Sequence, residues 1–280
     1  MIGSVMLQIL SKKTEWDVKG TVRQESTKIL FTSNFEKQLI VIPDLNLKDS
    51  LVDLFDRVQP DVVINCAGIT KHLVSGNDPL ALIPMNSLLP HRLLKLCNEM
   101  GSRLIHISTD CVFSGKKGSY TESDLADAQD WYGKSKALGE IISSNAVTLR
   151  TSTIGPELNS QHGLLEWFLF QSEVCKGYSR AIFSGLPTVV FAKIIRDIVI
   201  PRTSLSGLYH VGAEPISKFD LLQLIAQVYD KKIHIQVDDR LKIDRSLNVT
   251  KFYNATGYKS PDWPQLIKQM YCSKGNHKYV

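Results

Sequence analysis

The sequence is poor in cysteine and contains no close cysteine pair. Its five cysteines are widely spaced along 280 residues: Cys66, Cys97, Cys111, Cys175 and Cys272. An odd number of cysteines without a CxxC motif argues against a disulfide framework and against a structural zinc site. The pattern favours free thiols in a reducing cytoplasm.

Long apolar runs and charge clusters are also missing. No apolar run approaches the ~18 residues that a membrane-spanning helix requires, and no signal peptide is recognisable. The seven histidines are dispersed, so we predict no metal site. The net charge is only +5, and the densest basic stretch, KGNHKYV at 274–280, is typical of a solvated tail. These absences predict a cytoplasmic protein that binds neither membrane nor nucleic acid.

What the sequence does contain is an alternation of short apolar runs with helical patterns. Strands are predicted at 15–22, 38–42, 60–68, 102–109 and 145–152. Helices are predicted at 47–58 and 131–144, and a longer one ends with the stretch 89–101. The runs VVINC and LIHIS are apolar on both faces, as central parallel strands are. The alternation predicts an α/β fold with a doubly wound parallel sheet. The last third is less regular and predicts a small lobe over the carboxyl ends of the strands, where ligands bind in such folds.

The segment from Ser108 to Lys136 contains the residues most suited to chemistry. A predicted strand ends in Ser108 and Thr109, and Tyr132 and Lys136 follow with the four-residue spacing that places two side chains on one helix face. An ammonium near a phenol lowers its pKa, and a threonine hydroxyl can orient a carbonyl. These three groups could therefore donate a proton to a carbonyl, or run the reverse reaction. Without that context, YxxxK would describe only an exposed Tyr and Lys on a surface helix.

The segments PDVVINCAGIT, ISTDCVFSGKKGSYTE, YGKSKALGE and TLRTSTIG, with GLYHVG further on, resemble the extended short-chain dehydrogenase/reductases. Within that family they are most similar to the dTDP-4-dehydrorhamnose reductase-like sugar-nucleotide enzymes. The resemblance implies a Rossmann-type fold and an NAD(P) cofactor. It also implies a catalytic set of Thr109, Tyr132 and Lys136, with Asn86 helping to hold the lysine through water. It divides the chain into an NAD(P)-binding domain at 1–155 and a region at 156–280 that completes the sheet and forms a substrate lobe.

The resemblance also assigns cofactor positions. Cys66, Ala67 and Gly68 end a strand in small residues, so that the backbone could approach a ribose or nicotinamide; a simple turn at Gly68 is the alternative. Asp44 and Leu45 occupy the adenine position, although Asp44 could instead cap the following helix. Ser108 and Thr151 end strands beside the expected nicotinamide. Arg23 lies where an arginine suits the 2′-phosphate of NADP, so NADP is favoured over NAD.

Substrate positions follow from the loop after the proposed catalytic threonine. We assign Asp110, Cys111 and Arg245 to the substrate, the arginine because it could bind a diphosphate; a solvated arginine is the alternative. Cys111 is interpreted as packing rather than as a nucleophile. Arg150 could pair within the core or face a ligand. The loop reads TDCVFSG where rhamnose reductases usually have TDYVFDG, which leaves the sugar open.

The start of the chain departs from the family fingerprint of a strand, GxxGxxG and a helix. MIGSVMLQIL has helical periodicity from its first residues, and Gly3 matches only the third glycine of the fingerprint. We expect a central strand and two glycines to precede this helix in the intact gene product. The helix N-terminus is the expected site for a cofactor pyrophosphate.

Taken together, the sequence predicts NAD(P)H-dependent reduction of a 4-keto sugar nucleotide. The predicted binding partner is this nucleotide-sugar substrate, and a homodimer is compatible with the sequence. A nucleotide-sugar epimerase or dehydratase would use the same catalytic residues. The third hypothesis is a non-catalytic subunit on the same scaffold, like the regulatory beta subunit of methionine adenosyltransferase.

Overall fold

The computed structural model describes residues 1–31, 33–71, 77–158 and 162–273, so the predicted basic tail at 274–280 lies outside the described residues. Its central feature is a parallel sheet of four strands in the order β10-β5-β4-β3. These strands are β3 Val62–Asn65, β4 Arg103–Thr109, β5 Ala146–Thr151 and β10 Gly207–His210. The register pairs Ile64 with Ile105 and Ile105 with Val147.

The first half of the chain supplies the helices nearest to this sheet. They are α1 Ile2–Leu10, α2 Lys48–Val58, α3 Pro79–Leu82, α4 Leu89–Met100 and α5 Trp131–Leu138. A π-helical segment, Ile83–Leu88, joins α3 to α4, and α4 ends at Gly101, whose φ of 72° is the left-handed conformation that glycine adopts most readily. Short 3₁₀ segments span Glu25–Leu30, Ser33–Gln38 and Asp110–Val112.

Every residue of β4 is buried, because helices cover both faces of the sheet. Leu104 belongs to a cluster with Leu51 of α2 and Leu89 of α4, whereas Ile105 and Ile107 belong to a cluster on the opposite face with residues of α1 and of later helices. Alternate strand residues thus pack on opposite layers. This arrangement confirms the predicted α/β fold with a doubly wound parallel sheet.

A second, separate parallel sheet is formed by β1 Gly20–Val22 and β2 Leu39–Val41. Helix α1 contacts both sheets. The Leu7 side chain of α1 lies against Gly20 of β1, close enough to touch a Cβ built on that glycine. Gly3 of α1 lies against Cys66, which directly follows β3. The expected strand before α1, with neighbours on both sides, stays a prediction.

The second half of the chain adds short strands and five helices among the described residues. The strands are β6 Thr153–Ile154, β7 Val174–Tyr178, β8 Ala181–Phe183, β9 Leu186–Pro187, β11 Ile216–Ser217, β12 His234–Asp238 and β13 Ile243–Asp244. The helices are α6 Leu164–Phe170, α7 Thr188–Ile194, α8 Lys218–Val228, α9 Thr250–Thr256 and α10 Trp263–Cys272, and a π-helical segment, Ile195–Val199, follows α7. Strand β10 from this region pairs with β5. The division of the chain at residue 155 stays a prediction.

Two predicted elements are shorter than expected. The strand predicted at 15–22 is reduced to β1, and the helix predicted at 131–144 ends at Leu138. After α5 the chain turns to pack on β5, where Thr148 Oγ1 accepts a hydrogen bond from the Ile141 amide and donates one to the Ile141 carbonyl oxygen. These tertiary bonds replace further helical turns. Among the described residues, no helix combines the length and apolar character needed to cross a bilayer.

Candidate active site

The site is built around the carboxyl end of β4, where Thr109 ends the strand. Its hydroxyl caps the 3₁₀ turn that follows, accepting a hydrogen bond from the Cys111 amide at 3.1 Å. The same hydroxyl donates to Asp110 Oδ1 at 3.1 Å. Thr109 is 9% exposed, so the strand end holds a fixed hydroxyl beside the predicted site.

Helix α5 brings Tyr132 and Lys136 to this strand end. Asp130 caps the helix by accepting a hydrogen bond from the Gly133 amide at 2.7 Å. A Cβ on Gly133 would collide with the Cys111 carbonyl oxygen, so glycine lets the helix approach the loop after Thr109. Lys136 Nζ donates to the Ile107 carbonyl oxygen at 2.7 Å, which fixes the ammonium against β4.

Burial dominates the electrostatics of both side chains. It raises the pKa of Tyr132 above its ordinary value, against a hydrogen bond with Thr109 that lowers it. It lowers the pKa of Lys136 to about 8, although Glu140 and Cys66 raise it. The acidic groups of Cys111, Asp110 and Asp130 raise the pKa of Tyr132 further. The expectation that Lys136 lowers this pKa stays a prediction.

Asn86 holds together the segments on either side of the site. It lies in the π-helical segment, is fully buried, accepts a hydrogen bond from the Ile69 amide and donates to the Ile69 carbonyl oxygen, both at 2.9 Å. It also donates to Ser135 Oγ at 3.1 Å. The amide thus ties the loop after β3 to α5 at the residue before Lys136. The predicted role of Asn86 in holding the lysine through water stays a prediction.

A buried ion pair lies on the other side of Lys136. Arg150 of β5 donates to both carboxylate oxygens of Glu140, each at 2.7 Å, and Ser108 Oγ donates to Oε1 at 2.7 Å. The side chains of Arg150 and Glu140 are 5% and 10% exposed. Of the two roles considered for Arg150, the structure therefore shows pairing within the core.

The predicted residues for the nicotinamide end lie beside this cluster. Ala67 donates its amide to Asn65 Oδ1, and a Cβ on Gly68 would be 3.1 Å from Asn86 Oδ1, so the small residues let the loop run close to the π segment. Burial raises the pKa of Cys66 to about 12. Thr151 is buried at the end of β5.

The predicted adenine-end residues lie on the smaller sheet. Arg23 is exposed and directly follows β1, while Leu45 is partly buried against the core that contains α2 and α4. Asp44 Oδ1 accepts a hydrogen bond from the Asn46 amide at 2.8 Å, and α2 begins later, at Lys48, without a side-chain cap. Asp44 therefore stabilises a local turn and does not cap the helix.

The predicted substrate residues come together beside Thr109. Arg245 Nε donates to the Phe113 carbonyl oxygen at 2.7 Å, and its Nη1 lies 3.9 Å from Cys111 Sγ, so Arg245 is not a freely solvated side chain. Burial raises the pKa of Asp110, and the charge of Arg245 lowers it. Burial raises the pKa of Cys111 to about 11, which leaves the thiol protonated at neutral pH.

Three residues near the site were not predicted from the sequence. Glu140 lies in the quoted YGKSKALGE segment, and an arginine inside the apolar strand NAVTLRTS signals that a buried counter-charge must exist. Lys71 and Lys218 affect the same groups: the charge of Lys71 lowers the pKa of Asp110, and burial lowers the pKa of Lys218 while Asp110 and Cys111 raise it. No local pattern marks these two lysines.

The fold and these residues define an α/β protein of the Rossmann type with a polar site at the carboxyl end of its sheet. Residues 3–272 match the family described as RmlD substrate binding domain, and the chain belongs to that family. The predicted family is thereby confirmed.

Individual relatives agree with this assignment. The chain is 25% identical over 255 residues to dTDP-4-dehydrorhamnose reductase of Aggregatibacter actinomycetemcomitans, covering 81% of this chain and 86% of that protein. It is 28% identical over 209 residues to methionine adenosyltransferase 2 subunit beta of Rattus norvegicus, covering 66% of this chain and 60% of the subunit. The solved dTDP-4-dehydrorhamnose reductase of Bacillus anthracis, in complex with NADP, superposes with a TM-score of 0.73 at 19% identity over 88% of this chain and 94% of that chain.

Proposed function

We propose that this protein catalyses the NADPH-dependent reduction of a 4-keto deoxysugar nucleotide, as a dTDP-4-dehydrorhamnose reductase-like enzyme. The observation that carries the proposal is the approach of Tyr132 and Lys136 on α5 to Thr109 at the end of β4. Free thiols at the described cysteines support a cytoplasmic location. The substrate partner is a nucleotide sugar, the region 156–280 forms its lobe, and assembly as a homodimer is compatible with the proposal.

The described residues fit a dinucleotide. Among the described residues, Lys136 Nζ makes one hydrogen bond, to the Ile107 carbonyl oxygen, and an ammonium has three donors, so it has capacity left for a ribose. The first turn of α1 contains no acidic residue, and in the part of the chain that the structure describes a Cβ on Gly3 would meet one neighbour, which suits a pyrophosphate at this helix N-terminus. Arg23, exposed after β1, is suited to the 2′-phosphate of NADP; NAD is the alternative cofactor.

When bound, NADPH supplies the hydride for the carbonyl carbon. Tyr132 supplies the proton for the carbonyl oxygen, and its raised pKa keeps the phenol protonated at neutral pH. Thr109 orients that oxygen through its hydroxyl. Lys136, charged below a pH of about 8, stabilises the negative charge that remains on Tyr132 after proton donation.

The test is NADPH consumption by the purified chain with dTDP-4-dehydrorhamnose, for the wild type and for Tyr132→Phe. We expect Tyr132→Phe to lower kcat by about 10²–10⁴-fold while the Kd for NADPH, followed by fluorescence, stays nearly unchanged. Tyr253→Phe, at an exposed tyrosine of α9, is the matched control and should behave as the wild type. Turnover by Tyr132→Phe at the wild-type rate would overturn the catalytic assignment. Product formation without NADPH consumption would instead identify an epimerase or dehydratase.

A second candidate function is that of a non-catalytic subunit, and the match to the methionine adenosyltransferase subunit favours considering it. The discriminating measurement is size-exclusion chromatography of this chain with a methionine adenosyltransferase catalytic subunit. A stable complex, together with no NADPH consumption, would favour the subunit. NADPH consumption without a complex would favour the reductase.

A further inference from the structure

The buried ion pair between Glu140 and Arg150 connects the end of α5 to the central sheet. Its carboxylate accepts three hydrogen bonds, two from Arg150 of β5 and one from Ser108 of β4. Because Glu140 lies two residues beyond α5, these bonds fix the end of the helix that carries Lys136 against two central strands.

Few groups face the Lys136 ammonium among the described residues. They are Glu140 beyond α5, Cys66 after β3, and His106 on β4, and the ammonium also donates to the Ile107 carbonyl oxygen. Burial keeps the thiol of Cys66 protonated, with a pKa raised to about 12, and lowers the pKa of His106 so that the ring is neutral. Glu140 is the carboxylate of this set, and its charge raises the pKa of Lys136 against the effect of burial.

Arg150 holds the Glu140 carboxylate in place. Its guanidinium holds both carboxylate oxygens, stacks over the ring of Phe113 with 4.9 Å from Cζ to the ring centre, and lies 3.2 Å from His210 Nε2 through Nη1. Bidentate bonding by the guanidinium fixes both the place and the orientation of the carboxylate.

We propose that Glu140 is a positioning residue, which holds the end of α5 at the two strands and, four residues after Lys136, stabilises the buried Lys136 ammonium through its carboxylate. The proposal rests on the proposed function for its catalytic meaning, since the ammonium has to be charged to stabilise the anion on Tyr132. In wild-type protein Lys136 loses its proton at a pH of about 8. Without the carboxylate it should lose the proton at lower pH.

The experiment measures the Lys136 ammonium directly, by NMR titration of the ¹⁵N-lysine-labelled full chain, with Lys136→Arg to assign the signal. Glu140→Gln should lower the Lys136 pKa below the wild-type value. Glu140→Gln leaves Arg150 without its counter-charge, which endangers folding, so the double variant Glu140→Gln with Arg150→Gln provides a neutral pair in the same place. The double variant should fold and still show the lowered Lys136 pKa.

Arg150→Lys is the matched control, because it keeps both charges but loses the bidentate geometry. It should leave the Lys136 pKa close to that of the wild type. An unchanged Lys136 pKa in the folded double variant would overturn the proposal and leave the pair a purely structural role.

The kinetic arm uses NADPH consumption with dTDP-4-dehydrorhamnose. The alkaline limb of the kcat profile should move to lower pH in the double variant by the same amount as the Lys136 titration, with little change in KM. A wild-type chain that does not turn over would refute the proposed function, while the NMR titration would still decide the role of Glu140. A shifted Lys136 titration with an unshifted kcat profile would refute the catalytic part of the proposal.

Discussion

Gly139 lies directly against the backbone carbonyl of Asn86. A Cβ built on Gly139 would collide with the Asn86 carbonyl oxygen and would also press on Pro90. The residue that follows α5 therefore determines how closely this helix approaches the π-helical segment. The collision involves backbone atoms, which cannot move away as a flexible side chain can.

We expect Gly139→Ala to lower the free energy of unfolding by about 1–3 kcal/mol, because the methyl group forces α5 away from the π segment. The measurement is urea unfolding followed by circular dichroism, together with kcat. The displacement of Lys136 should lower kcat in the fraction that remains folded. A variant with wild-type stability and wild-type kcat would contradict the close approach.

Gly3→Ala should have the opposite effect on stability. Its Cβ would meet only Cys66 Cβ, at 3.6 Å, and alanine is favoured over glycine in a helix by up to about 1 kcal/mol. If the N-terminus of α1 receives the pyrophosphate, the same change should raise the Kd for NADPH. Wild-type affinity for NADPH in Gly3→Ala would count against Gly3 as a cofactor-binding residue.

Asn86→Ala should destabilise the chain by about 2–4 kcal/mol. It leaves the buried amide and carbonyl of Ile69 without their hydrogen-bond partner. Chemical unfolding measures the loss, and Asn254→Ala, at an exposed asparagine of α9, should change the stability by less than about 0.5 kcal/mol. Equal stabilities for the two variants would refute the role of Asn86 in tying the loop to α5.

Lys136→Met should abolish turnover and stabilise the chain at neutral pH. Burial lowers the folded-state pKa of Lys136 to about 8, so below that pH the folded protein holds an unfavourable charge. Between about pH 8 and 10.5 the unfolded chain binds the proton more strongly, so this contribution makes wild-type stability rise with pH. The variant should be about 1–3 kcal/mol more stable at pH 7, and the difference from the wild type should shrink by pH 10.5. A difference that does not vary with pH would exclude the lowered pKa.

Alkylation tests whether Cys111 is a packing residue. Burial raises the pKa of Cys111 to about 11 and that of Cys66 to about 12, whereas Cys272 is exposed. Iodoacetamide at pH 7.5 should modify Cys272 first, and the partly buried thiols of Cys66 and Cys111 roughly 100-fold more slowly or not at all. Mass spectrometry of the peptides gives the order. Fast labelling of Cys111 would identify a reactive thiol beside Thr109.

The fold was predictable where local pattern and tertiary packing agree. The run RLIHIST forms β4 because both of its faces are apolar and helices cover them. The end of α5 was not predictable, because the hydrogen bonds between Ile141 and Thr148 that replace the next helical turn join residues on separate elements. The helix propensity of a segment does not predict hydrogen bonds that the segment makes with a later strand.

The site was predictable in part for the same reason. Tyr132 and Lys136 are recognised by a spacing on one helix, and their approach to Thr109 follows from the place of strand ends in a parallel sheet. The direction in which the pKa of Tyr132 is shifted depends on the burial of its side chain, which the spacing of residues along the sequence does not predict. The partnership of Glu140 with Arg150 required the three-dimensional structure, because two different elements supply the two charges.

The separation of the β1–β2 sheet from the four-stranded sheet has a consequence for how the molecule would respond to a dinucleotide. Arg23 and Asp44 follow the strands of the β1–β2 sheet, whereas Lys136 contacts β4 of the four-stranded sheet. A ligand that reached from one set to the other would bind residues of both sheets at once. Its binding should therefore slow amide exchange in β1 and β2.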